Sequence, residues 1–229
     1  MSVVSNYQTG DELREPRPIC KPMGRDVSRW GEYTFLQAYL PLLCHDVCQV
    51  VVDVGAFGKK ASNTWNLICE NGWPGVLIEP NPPAAQRCQR EFHGNFCVLE
   101  TAVADYVGHS ALHRYSFNGW ESLSATRVQM ARRQGRRKLP RYHSSVVVPV
   151  TTLPTVLAAS KIPLQFGVLS VDTEGFDQQV LAPLFASQWR PAIILVEEDC
   201  DFQMFRDADY VLLHAQRDEK IWLHRPSTT

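Results

Sequence analysis

Short, continuous apolar runs alternate along this chain with segments whose apolar residues recur at helical spacing. Unbroken runs of this kind are typical of strands buried on both faces of a parallel sheet. Such strands are predicted at 49–55, 75–79, 96–103, 166–172 and 192–197, and a further strand is predicted at 145–150. Helices are predicted at 28–43, 62–70, 82–93, 152–160 and 175–186. The alternation of strand and helix predicts a parallel sheet with right-handed crossovers.

The C-terminal part of the chain has a different pattern. Two strand-like segments, at 210–216 and 220–225, flank a short polar connection and predict an antiparallel hairpin. Weak alternation at 108–115 indicates one further short strand. Residues 1–27 lack periodicity and are expected to form an N-terminal arm. We therefore predict one α/β domain over 28–229, with a mixed seven-stranded sheet and a C-terminal antiparallel hairpin.

The composition is that of an ordinary globular protein, since 45% of the 229 residues are hydrophobic and 21% are charged. No stretch approaches the roughly 20 apolar residues that span a bilayer, and the polar N-terminus lacks the apolar segment of a signal peptide. The seven cysteines are odd in number and scattered, as free thiols in a reducing compartment would be. We expect a cytoplasmic protein with no membrane partner, and the oligomeric state does not follow from the sequence.

The net charge of −1 conceals a strongly basic segment. Between Glu121 and Asp172 the chain has no acidic residue but eight Lys and Arg residues. Most of them lie at 127–141, inside a polar region at 116–143 that we interpret as a variable basic loop or lid. Such a cluster can bind a polyanion, close over an anionic substrate or form a solvated insertion. The segment lacks the stacking aromatics that readers of single-stranded nucleic acid use.

Candidate chemistry lies where the predicted strands end, because ligands bind beyond the carboxyl ends of parallel strands. The acids at these ends are Asp53, Glu79, Asp105, Asp172 with Glu174, and Glu197 with Glu198. The first strand runs into Asp53-Val-Gly55-Ala-Phe-Gly58, whose glycines let a ligand approach the backbone. An acid in place of the first glycine of GxGxxG suits a cationic ligand. Glu79 follows 24 residues after Gly55, where such folds bind ribose hydroxyls. A nucleoside with a positively charged tail is indicated, and S-adenosylmethionine is the common example.

Five strings of the sequence resemble the FkbM-type methyltransferase family. They are VDVGA at 52–56, SNT at 62–64, NGWPGVLIEPNP at 71–82, TAVAD at 101–105 and LSVDTEGFD at 169–177. The resemblance runs from about 28 to 225. It implies a Rossmann-like class I methyltransferase fold and an S-adenosylmethionine-dependent enzyme. The family's usual acceptor, a hydroxyl of a sugar, glycan or secondary metabolite, is expected here.

By position, the resemblance also implies which residues bind the cofactor. They are Glu32, Asp53, Gly55, Ala56, Ser62, Asn63, Thr64, Glu79, Asn81, Ala102 and Val103. Within this set, Asp53 and Gly55 would border the methionine part, Glu79 would hold the ribose and Asn81 would flank the adenine. Tyr33 stands where the family has Asp after its Gly-Glu pair.

The acids at 172–174 are the candidate catalytic residues. A hydroxyl acceptor must lose a proton, and Asp172, at the end of the strand expected beside the methyl group, is the first candidate for the base. Glu174 is the second. Alternatively, Asp172, Glu174 and Glu198 hold a divalent cation, or the acids only cap the next helix. S-adenosylmethionine is the expected cofactor, and a metal is not expected.

Trp120, Ser122 and His143 are the candidate substrate contacts. The first two fall where similar proteins have a small serine-containing loop, and His143 lies beside the variable loop. A small-molecule or glycan acceptor is expected. The alternative is an RNA-directed methyltransferase, or a nucleic-acid-binding protein, that uses 127–141. A non-catalytic scaffold is a third alternative, against which the complete set of strand-end acids counts.

Overall fold

The computed structural model describes residues 3–5, 25–29, 31–43, 48–60, 62–115, 121–124, 141–197, 200–216 and 219–225. The strands in these segments are β1 (Val3–Ser5), β2 (Cys48–Val54), β3 (Gly75–Ile78), β4 (Phe96–Leu99), β5 (Ala102–Val103), β6 (Gly108–Tyr115), β7 (Tyr142–Thr151), β8 (Gln165–Val171), β9 (Arg190–Val196), β10 (Tyr210–Gln216) and β11 (Glu219–His224). The helices are α1 (Glu32–Leu43), α2 (Trp65–Cys69), α3 (Pro82–Glu91), α4 (Leu153–Ala159), α5 (Asp177–Phe185) and α6 (Phe202–Asp207).

The main sheet is mixed and mostly parallel, in the strand order β1-β4-β3-β2-β8-β9-β11-β10. The five strands from β4 to β9 in this order are mutually parallel. β10 and β11 form the predicted antiparallel hairpin, and β11 pairs antiparallel with β9. Seven strands were predicted, and in the described part of the chain β1 adds an eighth by pairing antiparallel with β4. No sequence periodicity marked that strand, because three residues are too few to show one.

A second, three-stranded sheet has the order β5-β7-β6. The prediction of a single strand at 96–103 is wrong, because this segment is divided between the two sheets. The chain turns after β4, where the Thr101 N–H donates to the Leu99 carbonyl at 3.0 Å, and β5 then pairs in parallel with β7. The strands predicted near 108–115 and 145–150 exist as β6 and β7, which pair antiparallel. The small sheet therefore begins at the carboxyl edge of the main one.

Both faces of the main sheet are buried, as the unbroken apolar runs predicted. Val50, Val52 and Val54 of β2 belong to one apolar cluster, together with side chains of α4, α5 and α6. Val51 belongs to the opposite cluster, together with side chains of α1, α2 and α3. Two helical layers thus enclose the sheet and leave its carboxyl edge open. No helix among the described residues is long and apolar enough to cross a membrane.

Helix α1 begins four residues later than the sequence pattern predicted. Asp26 contacts the first turn of the helix. Its carboxylate accepts hydrogen bonds from the Thr34 N–H at 3.0 Å and the Thr34 hydroxyl at 2.6 Å. The Ser28 hydroxyl oxygen accepts from the Tyr33 N–H at 3.3 Å. The segment before the helix is therefore folded back against its first turn, which brings Arg29 to the open edge of the sheet.

Candidate active site

A cleft of about 610 Å³, including its open mouth, lies at the carboxyl edge of the main sheet. The ends of β2, β3 and β8 form its floor, and the small sheet and residues 121–123 form one wall. Six residues expected from the sequence line it directly: Gly55, Glu79, Ala102, Val103, Asp172 and Glu174. Ser122, an expected substrate contact, lines it as well. The candidate cofactor and catalytic residues thus meet in one place.

Gly55 sets the closest backbone approach in the cleft. It follows β2 with a φ of +92°, and its N–H donates to the Ile78 carbonyl at 2.9 Å. The Ala56 N–H donates to the same carbonyl at 3.2 Å. A Cβ on Gly55 would lie 1.8 Å from the carbonyl oxygen of Asp172. Only glycine fits this turn, for both its conformation and its contact with the chain after β8.

Asp53 lies beneath this turn and supports it. The carboxylate accepts a 2.5 Å hydrogen bond from the Thr64 hydroxyl, and a further one from Ser170. Burial raises the pKa of Asp53 to about 6, against the opposing effect of these two hydrogen bonds. Ser62 supports the same segment, because its hydroxyl oxygen accepts from the N–H groups of Thr64 and Trp65. These side chains shape the turn into α2, and none of them lines the cleft.

Glu79 forms a polar corner of the cleft after β3, and Asn81 contacts two of the lining residues, Glu79 and Glu121. The Glu79 carboxylate accepts from the Asn81 N–H at 2.7 Å. Burial, followed by the charges of Glu121 and Asp53, raises the pKa of Glu79 to about 8. The Asn81 amide donates to Glu121 at 3.2 Å, and its own oxygen, Oδ1, is buried without a partner among the described residues. The corner therefore presents acceptors to a hydroxyl- or amine-bearing ligand.

The opposite wall of this corner is apolar. Ala102 and Leu112 belong to the apolar core of the small sheet, and Leu123 and Phe176 pack against that core. These four residues and Val103 line the cleft. An apolar slot beside polar acceptors suits a flat ring that carries polar edges.

Three acids form a cluster on the far side of Gly55. Asp172, Glu174 and Glu197 each place a carboxylate oxygen within 4.8 Å of the others. Glu197 is only 2% exposed, and its Oε1 accepts a 2.6 Å hydrogen bond from Arg29 Nη1. Asp172 Oδ1 and Glu197 Oε2 are buried with no donor directed at them in the described segments. Oxygens at this spacing can share a proton or hold a divalent cation.

The charges of this cluster determine its protonation. Burial, and then the charges of Glu197 and Glu174, raise the pKa of Asp172 well above its ordinary value. A hydrogen bond between the carboxyl groups of Asp172 and Glu197 acts in the same direction. Two carboxyl groups can hydrogen-bond only when one of them carries a proton. The surroundings of Asp172 therefore favour the protonated form of its carboxyl group.

Hydrogen bonds hold the loop that carries Glu174 on two sides, one formed with Asp177 and the other with Ser122 in the cleft wall. Glu174 has a φ of +53°, an uncommon conformation for a residue other than glycine, and Gly175 follows at +103°. Thr173 donates from its N–H and its hydroxyl to the Asp177 carboxylate, at 2.9 and 2.5 Å. The Ser122 hydroxyl donates to the Glu174 carbonyl at 2.8 Å. Ser122 therefore joins the wall of the cleft to the acidic loop.

Several expected site residues lie elsewhere. His143 is exposed on β7 and does not line the cleft as the described residues form it. Glu32 lines a second cavity, between α1 and the C-terminal hairpin. Trp120, Glu198 and the basic segment up to 140 lie outside the described residues.

The sequence listed Glu197 among the strand-end acids but gave it no role beside Asp172 and Glu174, and it did not indicate Arg29. Glu198 was named for the cation alternative, whereas in the described residues Glu197 completes the group of three acids. The signal was present, because Glu197 directly follows a buried strand as Asp172 does, and its N–H continues the pairing to the Val171 carbonyl at 3.4 Å. Arg29 gave no signal, since it is 168 residues away from Glu197 in the chain.

Comparison with protein families gives one match. A family profile described as "Methyltransferase FkbM domain" matches residues 53–216, well over half of the chain. The matched range begins at Asp53 and includes the whole cleft floor, the acidic cluster and the small sheet. No curated protein and no solved structure matches the chain.

Proposed function

Because the chain belongs to the FkbM methyltransferase domain family, we propose that it transfers a methyl group from S-adenosylmethionine to a hydroxyl of a sugar, glycan or secondary metabolite. The observation that carries this proposal is the meeting of three features in one cleft. They are the close backbone approach at Gly55, the buried acceptors of Glu79 and Asn81, and the acidic cluster around Asp172.

The donor half of the cleft fits S-adenosylmethionine residue by residue. Glu79 presents a buried carboxylate for ribose hydroxyls, and the unpartnered Asn81 Oδ1 is an acceptor for an amino group. Ala102 and Val103 offer the apolar wall for an adenine ring. Gly55 lines the cleft and would border the methionine part. A Cβ at Gly55 would collide with the Asp172 carbonyl and displace this turn.

Asp53, Ala56, Ser62 and Thr64 act indirectly in this proposal. Their hydrogen bonds hold the turn after β2 in place. Such positioning matters because holding reactants in the correct geometry can supply about 7–11 kcal/mol of the barrier reduction. Glu32 and Asn63 are not part of the donor site as we propose it, because Glu32 lines the second cavity and Asn63 hydrogen-bonds to Glu219, which lines that cavity too.

The acidic cluster serves the acceptor. S-adenosylmethionine, when bound, supplies a methyl group on a positively charged sulfur. A hydroxyl oxygen can attack the methyl carbon in line, and the sulfur leaves as a neutral thioether. The negative charge of Glu174 and Glu197 favours a cationic donor nearby and can accept the hydroxyl proton. Asp172, whose protonated form the surroundings favour, donates a hydrogen bond and orients the acceptor. The cluster therefore titrates and accepts the proton as a unit rather than through Asp172 alone.

The proposal is tested by incubating the protein with methyl-labelled S-adenosylmethionine and a panel of hydroxyl-bearing sugars, glycans and secondary metabolites. Label is expected in a base-stable ether of at least one compound. The Asp172→Asn variant is the matched control for contaminating activity. Label that appears only in total RNA, added as a separate arm, would contradict the small-molecule acceptor and support the RNA-directed alternative.

A further inference from the structure

The loop that follows Gly55 contributes one large side chain to the cleft. Of the described residues 56–60, Phe57 alone lines it. Ala56 is buried in the apolar cluster shared with α1, α2 and α3, and Lys59 is exposed. Phe57 lies between these two environments and is half-buried. The loop therefore presents an aromatic wall to the cleft beside the glycine turn.

Helix α3 holds this loop on both sides of Phe57. Before Phe57, the Ala56 carbonyl accepts a hydrogen bond from Cys88 Sγ at 2.6 Å. After it, the Lys59 N–H donates to the Glu91 carboxylate at 2.7 Å. Cys88 and Glu91 lie on α3 about one turn apart. The backbone that carries Phe57 is therefore attached to the helix at two points.

Arg87, also on α3, covers one face of the Phe57 ring. Its guanidinium carbon, Cζ, lies 4.2 Å from the ring centroid, which is within the range of a cation–π contact. The side-chain stem is confined as well, because a Cβ on Gly58 would lie 2.8 Å from Arg87 Cδ. Among the described residues, the guanidinium forms no ion pair or hydrogen bond, and no other ring stacks on Phe57. The contact between Arg87 and Phe57 therefore restrains both side chains.

This pair lies on the side of the cleft proposed for the donor. Burial dominates the pKa of Glu79, and the positive charge of Arg87 opposes that effect, so the guanidinium is close enough to act on this carboxyl group. Glu79 is the proposed partner of the ribose hydroxyls, and Gly55 is proposed to border the methionine part. Gly55, Phe57 and Glu79 line the same cleft. A donor that contacts Gly55 and Glu79 therefore passes the Phe57 ring.

We propose that Phe57 is a donor contact and that Arg87 is the positioning residue that holds its ring in place. This inference rests on the proposed function, which it deepens by adding an aromatic wall to the donor site. A half-buried phenyl ring gains apolar contact when a ligand covers its remaining surface. A ring that is restrained before binding loses little conformational freedom when the ligand arrives. Arg87 thus acts through the ring and not through a hydrogen bond to the ligand.

The test is a double-mutant cycle on affinity for S-adenosylhomocysteine, measured by calorimetry. Phe57→Ala is expected to weaken binding by about 10-fold, and Arg87→Ala by about 5-fold. Because Arg87 acts through the ring, the double variant is expected to bind within about 2-fold of Phe57→Ala alone. A loss on Arg87→Ala that persists in the Phe57→Ala background means that Arg87 acts directly on the ligand or on Glu79, and overturns the positioning role.

Arg90→Ala is the matched control, because Arg90 is an exposed arginine on the same helix. Its affinity for S-adenosylhomocysteine is expected to stay within about 2-fold of the wild type. Equal losses in Arg87→Ala and Arg90→Ala would assign the effect to the charge of α3 and overturn the proposal. If the Tm of Phe57→Ala falls below the assay temperature, Phe57→Leu takes its place in the cycle, since it removes the ring but keeps most of the apolar volume.

The wild-type titration separates this inference from the proposed function. Failure of S-adenosylhomocysteine to bind the wild type contradicts the proposed function, and the inference with it. Wild-type binding that neither Phe57→Ala nor Phe57→Leu changes contradicts the inference alone and leaves the proposed function standing.

Discussion

Two pairs of buried acids lie at the same edge of the main sheet, and the protein surrounds them in opposite ways. Asp53 and Glu79, after β2 and β3, each receive hydrogen bonds from the chain. Asp172 and Glu197, after β8 and β9, face each other and leave one buried oxygen each without a donor in the described segments. The first pair is held by hydrogen-bond donors of the neighbouring chain, whereas the second pair combines a donor to Glu197, from Arg29, with a contact between its own two carboxyl groups.

This difference indicates which acids fix the geometry of the site and which take part in proton transfer. A carboxylate with satisfied hydrogen bonds keeps a turn or a ligand in a fixed geometry. Carboxyl groups forced together have a shifted proton affinity, which is how active sites prepare groups for proton transfer. We therefore expect changes at Asp172 to alter turnover, and changes near Gly55 and Glu79 to alter binding and stability.

The largest effect is expected from Asp172→Asn. The variant keeps the shape of the side chain but removes the carboxyl group that shares a proton with Glu197. Turnover with an acceptor found by screening is expected to fall by about 10²–10⁴-fold. Affinity for S-adenosylhomocysteine, measured by calorimetry, is expected to change less than about 3-fold, or by about 0.6 kcal/mol. Unchanged turnover would remove Asp172 from the proposed mechanism, and Asp207→Asn serves as the control.

The next effect is expected from Gly55→Ala, which inserts a Cβ 1.8 Å from the Asp172 carbonyl oxygen. Displacement of the turn by about 1 Å can cost about 100-fold, so S-adenosylhomocysteine affinity is expected to fall by at least that much. Gly72→Ala is a matched control, because Gly72 also has a positive φ, of +74°, but no described atom within 4 Å of the added Cβ. Equal loss in both variants would mean that backbone conformation, and not the contact, is responsible.

Glu79→Gln is expected to change how stability depends on pH. The pKa of Glu79 rises from 4.5 to about 8 in the folded protein, so the folded state binds this proton more tightly than the unfolded state. Its contribution to stability is complete below about pH 4.5 and is lost as the pH rises towards 8. A shift of this size corresponds to about 5 kcal/mol, so the wild type is expected to lose roughly 10–20 °C of Tm relative to Glu79→Gln over this range. Parallel Tm curves for the two proteins would contradict the burial of a charged Glu79.

The smallest effect is expected from Ser122→Ala. The hydroxyl donates to the Glu174 carbonyl and accepts from the Ser124 N–H at 3.0 Å. Loss of these bonds is expected to cost about 1 kcal/mol of unfolding free energy, measured by urea denaturation. The expected fall in kcat/KM is about 5-fold, because the loop that carries Glu174 loses one support. Ser110→Ala on β6 is the control, and identical effects of the two changes would show that the contact to Glu174 has no special role.

Local sequence signals were sufficient for the strands and for much of the site. Parallel strands end at one edge, so acids that follow buried runs, such as Asp53, Glu79 and Asp172, could be grouped before any contact was known. The GxG-like turn also indicated Gly55, and the structure adds the reason, which is its contact with the chain after β8.

The remainder depended on contacts between distant parts of the chain. The pairing of Arg29 with Glu197, and the approach of Asn63 to Glu219, join segments that no periodicity connects. The break between β4 and β5 was missed for a related reason, because β5 finds its partner in β7, about 50 residues later. Apolar pattern predicts that a segment forms a strand, but it does not specify which sheet the strand joins.

The most direct test of the central claim is calorimetric titration of the wild-type protein with S-adenosylmethionine and S-adenosylhomocysteine, with and without EDTA. The account predicts micromolar binding of both that chelation leaves unchanged, because the proposed donor site at Gly55, Glu79 and Asn81 uses no metal. Binding that disappears in EDTA and returns with Mg²⁺ would assign the acids at Asp172 to a cation instead of a proton. Absence of binding under all conditions would contradict the donor site itself.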